Sequence, residues 1–133
     1  MPVLLDTHVW VWWLSGNGRL SAREREALDK LAESSELCLS AISLWEVQMA
    51  YEKGRFRPQD PFETWLRAAA GADVVQLVPL DIRVAVALNS LPKRFHKDPA
   101  DRLIVATARA HAMVLATWDA TIRKSRLVQL WKA

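Results

Sequence analysis

Along this chain, short runs that are apolar at every position alternate with longer stretches in which apolar residues recur every three or four positions. The first pattern suits strands covered on both faces, and the second suits helices with one buried side. Pro2 to Leu5 reads as a first strand, Glu36 to Ser40 as a second, Asp73 to Leu80 as a third and Met113 to Thr117 as a fourth, with Leu127 to Trp131 as a short fifth. The stretches between them carry helix signals. Ser21 with Glu24 three positions on forms a capping box, and Ala22, Leu28 and Leu31 form an apolar stripe behind it. Ser40 can cap "AISLWEVQMAYEK", which Gly54 stops, although Ser43 and Glu46 have the same box spacing and allow a start three residues later. Asp60, Pro61 and Glu63 open another helix, closed by Gly71. Asp81 caps the stretch through Leu91, and Asp98 with Pro99 starts "ADRLIVATARAHA". Such alternation predicts α/β units around a mostly parallel sheet of four to five strands, in one domain spanning residues 1–133.

Composition narrows this picture only modestly. Hydrophobic residues make up 51% and charged residues 25% of the 133 positions, a globular balance that excludes disorder. No apolar run approaches the ~18 residues needed to span a bilayer, and the first residues lack the basic start and cleavage site of a secretory signal, so the expectation is a cytoplasmic protein with no membrane contact. The lone cysteine, Cys38, sits in an apolar stretch as a core thiol and excludes an internal disulfide or a thiolate cluster.

The acids change the picture more. "LLDTHVWVWWL" plants Asp6, Thr7 and His8 between two apolar segments, at the end of the first strand. Asp119 follows the fourth strand, and Glu46 and Asp101 fall in the first turns of helices that start on the same side. Strand C-termini in an open parallel sheet share one edge, where ligands bind, so four acids far apart in sequence can converge there. Each has a plain alternative. Asp6, Asp98 and Asp119 are all placed to cap helices, Glu46 to complete a capping box with Ser43, and Asp101 to favour the positive end of a helix dipole. Capping does not explain why all of them face one edge of one sheet.

Two carboxylates ~5 Å apart repel by roughly 3 kcal/mol at an effective dielectric of ~20, so a cluster must protonate in part or bind a cation. An all-oxygen set suits Mg²⁺ or Mn²⁺, whereas zinc is disfavoured because there is one cysteine and His8, His96 and His111 show no ligand spacing. The chemistry this implies is phosphodiester hydrolysis. Charge agrees: of 15 acidic residues, setting aside Asp6, Glu46, Asp98, Asp101 and Asp119 leaves 10 against 18 basic ones. Lys93, Arg94, His96, Lys97 and Arg102 surround the Asp98/Asp101 segment, and Arg123, Lys124 and Arg126 follow Asp119, where they can hold the phosphates of a nucleic acid.

The stretches "LLDTHVWVWWL", "LSAISLWEVQMAYEKGRF", "HKDPADRLIVATARAHA" and "LATWDATI" together resemble the PIN domain ribonucleases, specifically the VapC-type toxins of bacterial toxin-antitoxin pairs. They occur in the order of that family and cover nearly the whole chain. The resemblance implies a three-layer α/β/α sandwich and a Mg²⁺- or Mn²⁺-dependent endoribonuclease acting on RNA. It places Asp6, Glu46, Asp101 and Asp119 on the family's acidic quartet as catalytic and metal-binding residues. Asp98 falls on an auxiliary acid, Thr7 and Thr117 on hydroxyls that orient a carboxylate or a metal-bound water, and Arg102 on a contact to a carboxylate or a substrate phosphate; Arg94, Lys97 and Arg123 join the substrate side by their charge beside the acids. It also implies a homodimer and a cognate antitoxin that inserts a segment into the active-site groove. Seven tryptophans in so short a chain bear on the dimer: Trp10 and Trp13 share one face of the first helix and Trp12 points elsewhere, so either part of this helix packs on a second chain or it is buried on nearly all sides. One or two metal ions fit the sequence equally well.

Two other readings fit less well. A phosphoryl-accepting receiver domain needs an adjacent acidic pair at the first strand and a lysine closing a late strand, and neither is evident. A noncatalytic RNA-binding or protein-interaction module with the same fold would have no use for an intact quartet.

Overall fold

In the computed structural model, which describes residues 1–133, the elements run β1 (Val3–Leu5), α1 (Thr7–Ser15), α2 (Ala22–Glu33), β2 (Leu37–Ser40), α3 (Ala41–Glu52), α4 (Phe62–Ala69), β3 (Gln76–Val78), α5 (Ile82–Asn89), α6 (Pro99–Ala110), β4 (Val114–Ala116) and α7 (Ala120–Ser125). The four strands form one sheet in the order β3-β2-β1-β4, and every neighbouring pair is parallel. Leu127 to Trp131 falls short of a fifth strand. It touches the β4 edge through a single parallel bridge, Leu115 to Leu130.

The continuous apolar runs are explained by two cores, one on each face of the sheet. Val3 and Leu5 of β1 join Leu37 and Leu39 of β2, Trp10 of α1, Leu28 of α2 and Val47 of α3 on one face. Leu4 and Cys38 point the other way, to Val84 of α5, Ile104 and Val105 of α6 and Ile122 of α7. Alternate residues of one strand thus enter different cores, and neither face can be polar. The result is a three-layer α/β/α sandwich. Burial pushes the Cys38 thiol upward in pKa, as expected of a core thiol. No helix is long and apolar enough to cross a membrane.

Local signals set most of the helix ends. Ser21 and Glu24 form both halves of a capping box, Asp81 accepts from the Val84 amide, and Asp98 accepts from the amides of Ala100 and Asp101. Gly54, at φ +74°, takes the left-handed turn that ends α3, which a side chain would strain. The ambiguity at the other end of α3 resolves to Ser40, whose hydroxyl accepts from Ile42 N–H. Glu46 therefore lies in the second turn of α3, not the first, and forms no capping box. At α4 the expectation is off by one residue. Pro61 itself takes the cap position, and no side chain caps the helix.

The tryptophans of α1 find partners within the chain. Trp10 is fully buried and donates from Nε1 to Ala69 O at 3.0 Å, while Trp13 donates to Asp29 Oδ1 at 2.9 Å. Trp12 lies on the other side, against His8 and Trp118 and under the Arg19 guanidinium. A second chain is not needed to cover this helix.

Candidate metal centre

The crossovers from β1 to β2 and from β3 to β4 leave the sheet on opposite sides, so their junctions open a cleft at the C-terminal edge of the central strands. Asp6 leaves β1 directly into it, and Asp119 reaches it three residues beyond β4. Glu46 enters from α3, and Asp98 and Asp101 from the start of α6. All five carboxylates line one cleft of about 370 Å³, together with Thr7, His8, Trp12, Arg55 and Phe56. A larger groove of about 580 Å³, bordered by α5 and α6, contains no carboxylate.

Each acid is held in place. Asp6 is buried; its Oδ1 accepts from Thr7 N–H at 2.8 Å and its Oδ2 from the Thr117 hydroxyl at 2.6 Å. Thr117 Oγ1 in turn accepts from Asp119 N–H, tying the two ends of β1 and β4 together. Thr7 donates to Glu46 Oε1 at 2.5 Å and lies 2.7 Å from the buried Ser43 hydroxyl. His8 accepts from Trp118 N–H at Nε2 and turns Nδ1 toward Asp6 Oδ2 at 3.4 Å, bridging α1 to the loop after β4. Asp119 and Asp98 cap α7 and α6 while facing the cleft, so capping and convergence coexist in the same side chains.

Electrostatically, the carboxylates crowd one another. Burial, then the charges of Asp6, Asp98, Glu46 and Asp119, push the Asp101 carboxyl up to about 8. Burial also raises Asp6 and Glu46, against the hydrogen bonds and the nearby His8 that favour their charged forms. Two groups have ligand atoms within 4.8 Å of one another: Glu46, Asp98 and Asp101, and His96, Asp101 and Asp119. Asp6 lines the same cleft but belongs to neither group.

The basic residues distribute differently from expectation. Arg102 donates to Pro92 O and Arg123 to Thr117 O, so both brace backbone beside the site. Arg94 lines a separate groove with Phe95 and Lys124, and Lys97 is exposed outside the cleft. The guanidinium that does line the cleft belongs to Arg55, delivered by the turn at Gly54. Sequence spacing also missed His96, which reaches the acids from the loop before Asp98.

The PIN domain family pattern matches residues 3–126. Ribonuclease VapC22 of Mycobacterium tuberculosis (strain ATCC 25618 / H37Rv) is 38% identical over 124 residues, which cover 93% of this chain and 92% of that protein. Among solved structures, VapBC2 from Rickettsia felis bound to a DNA fragment from its promoter superposes with a TM-score of 0.74 at 16% identity, covering 98% of each chain. DNA-bound VapBC from Salmonella typhimurium gives 0.75 at 16% identity, covering 98% of this chain and 97% of that one. At such identities the structures establish the shared fold.

Proposed function

The chain belongs to the PIN domain family, and from that premise we propose that it is a metal-dependent endoribonuclease, the toxin of a toxin-antitoxin pair, cleaving RNA at the acidic cleft. The observation that carries this reading is the convergence of five carboxylates from four separate elements on one cleft at the C-terminal edge of the sheet. Asp6, Glu46, Asp101 and Asp119 are the residues that would hold the cation, with Asp98 beside them; an all-oxygen set suits Mg²⁺ or Mn²⁺. When bound, such an ion polarises a phosphoryl oxygen and lowers the pKa of water for in-line attack.

The chain's own residues supply orientation. Thr7 and Thr117 fix Glu46 and Asp6 by hydrogen bonds before substrate arrives, so less ordering remains for the reaction. Trp12 and Phe56 give the cleft aromatic walls against which single-stranded bases can pack, and Arg55 offers a guanidinium to a phosphate. Arg94, Lys97, Arg102 and Arg123 extend positive charge outside the cleft along the path of a longer strand. A cytoplasmic location accords with an RNA substrate.

Purified protein is expected to cut single-stranded RNA in Mg²⁺ or Mn²⁺, to stop in excess chelator and to resume when metal is restored. RNA binding with no cleavage in either metal would overturn the enzyme and leave a noncatalytic module.

The named complexes of the structural relatives support a cognate antitoxin as partner. The homodimer is supported by a surface other than α1. Ile82 and Val86, one turn apart on α5, are 83% and 65% exposed. Val86→Asp is expected to turn a dimer into a monomer in sedimentation equilibrium at micromolar concentration. A parent that already sediments as a monomer would rule the dimer out.

A further inference from the structure

Three of the seven tryptophans form a series that starts in the acidic cleft and leads out of it. Trp12 lines the cleft, and its ring meets that of Trp118 edge-on at 6.2 Å. Trp118, the residue before Asp119, lines a further groove of about 470 Å³ together with Trp131. Backbone hydrogen bonds hold both walls: Trp118 N–H donates to His8 Nε2 at 3.1 Å, and Trp131 N–H donates to Leu115 O of β4 at 2.9 Å. Both side chains are half-buried, packed in part on the core that contains Trp10. The groove's side chains carry net positive charge. Arg23, Arg123 and Lys132 are exposed there, and Arg123 uses one guanidinium donor, on Thr117 O, which leaves the others for a ligand. The one acidic side chain, Glu24, is engaged by its own helix cap and accepts from Ser21 N–H at 2.8 Å. At the cleft end of the series, the Arg19 guanidinium lies over the Trp12 ring at 5.1 Å.

A groove that interleaves aromatic side chains with cations suits a single-stranded nucleic acid, whose bases pack on the rings while its phosphates meet the charges. The acidic cleft cannot supply this, because its carboxylates repel every phosphate that no cation bridges. We propose that this groove holds the nucleotides flanking the cut, with the RNA strand passing from the cleft by Trp12 and Trp118 to Trp131 and with Arg23, Arg123 and Lys132 on its phosphates. The proposal rests on the nuclease reading above and extends it to how the substrate strand is held. Rings accept any base, so the groove favours longer single strands without reading their sequence. Cations alone would suit an acidic polypeptide equally well; the two tryptophans favour bases.

Binding of a fluorescein-labelled oligouridylate to the full chain in chelator, read by anisotropy, tests the groove while the RNA stays intact. The parent is expected to bind with an affinity that falls as salt rises. Trp131→Ala is expected to weaken binding about tenfold, the scale of one lost base stack, and Trp131→Phe to keep most of the affinity. Arg23→Gln combined with Lys132→Gln is expected to lower the slope of log affinity against log salt by about 1.4, since each phosphate contact on a single strand contributes ~0.7. Both residues are exposed, so thermal unfolding of this variant should match that of the parent. Variants that bind as the parent does, a parent that binds no RNA in chelator, or polyglutamate that competes as well as unlabelled oligouridylate would each overturn the proposal and leave the metal centre standing. Groove-dependent binding by a parent that cuts RNA in neither Mg²⁺ nor Mn²⁺ would uphold the groove as an RNA site and overturn the nuclease.

Discussion

Asp101→Asn is expected to lower RNA cleavage by roughly a thousandfold, the scale on which removing one preorganised electrostatic group acts, while making the metal-free protein more heat-stable at pH 8. The two halves of this prediction have one cause. Asp101 belongs to both groups of candidate ligands and feels four other carboxylates, so its charge is costly in the bare cleft and useful to a cation. Asparagine keeps the side-chain size and one acceptor oxygen but removes the charge. The helix loses little, because the capping of α6 belongs to Asp98. Cleavage rates and thermal unfolding in chelator, measured on the same preparation, check both halves. A variant that is inactive but less stable than the parent would mean that Asp101 holds the fold and not a metal.

Much of this architecture was legible because it is written in local chemistry. The two-sided burial of β1 and β2 requires every position of "VLL" and "LCL" to be apolar, and a run without alternation is readable as such. The caps at Ser21, Asp81 and Asp98 act within three residues of themselves. What the sequence left open depended on contacts between distant segments. Whether Ser40 or Ser43 begins α3 is decided by the Thr7 hydroxyl, which engages Ser43 from 36 residues away. Leu127 to Trp131 has the composition of a strand, but only Leu130 pairs with β4.

The candidate site divides in the same way. Acids that follow strands were findable, because a parallel sheet gathers strand ends at one edge regardless of loop detail. His96 and Arg55 were not, since each reaches the cleft from a loop whose path is set by a neighbouring turn. The spacing of His96 to Asp98 and Asp101 matches no ligand motif, because its approach to Asp101 and Asp119 is made by the loop's path and not by helical periodicity. The basic residues were placed in sequence only by their nearness to the acids; in the fold Arg102 and Arg123 lie beside the site with one guanidinium donor each on a backbone carbonyl, and Arg94 and Lys97 lie outside the cleft. The crowding of three tryptophans in α1 left a second chain and burial within the subunit both open; in the fold Trp10 reaches into the core, Trp13 reaches α2 and Trp12 lines the cleft.

In the absence of metal, the protein is expected to lose stability as pH rises from about 4 to 8, and divalent cation is expected to restore it more at pH 8 than at pH 5. A carboxyl raised above its unfolded value keeps its proton in the folded state where the unfolded chain has released it, and wherever the folded state binds more protons, stability falls with rising pH. For Asp101 the window opens at the unfolded value of 3.8 and closes at about 8; Asp6 and Glu46 are shifted in the same direction. Above the window the penalty is complete, on the order of a few kcal/mol. A cation binds the ionised form, so protons and metal compete for the same oxygens and metal affinity rises with pH. The melting temperature with chelator and with saturating Mg²⁺, measured at half-unit steps across the window, should give two curves that diverge upward in pH. Asp101→Asn should flatten the chelator curve because it removes a group whose shift spans the whole window. Parallel curves would mean that the acids of the cleft ionise without strain, and the argument for a cation at this site would fail on its electrostatics.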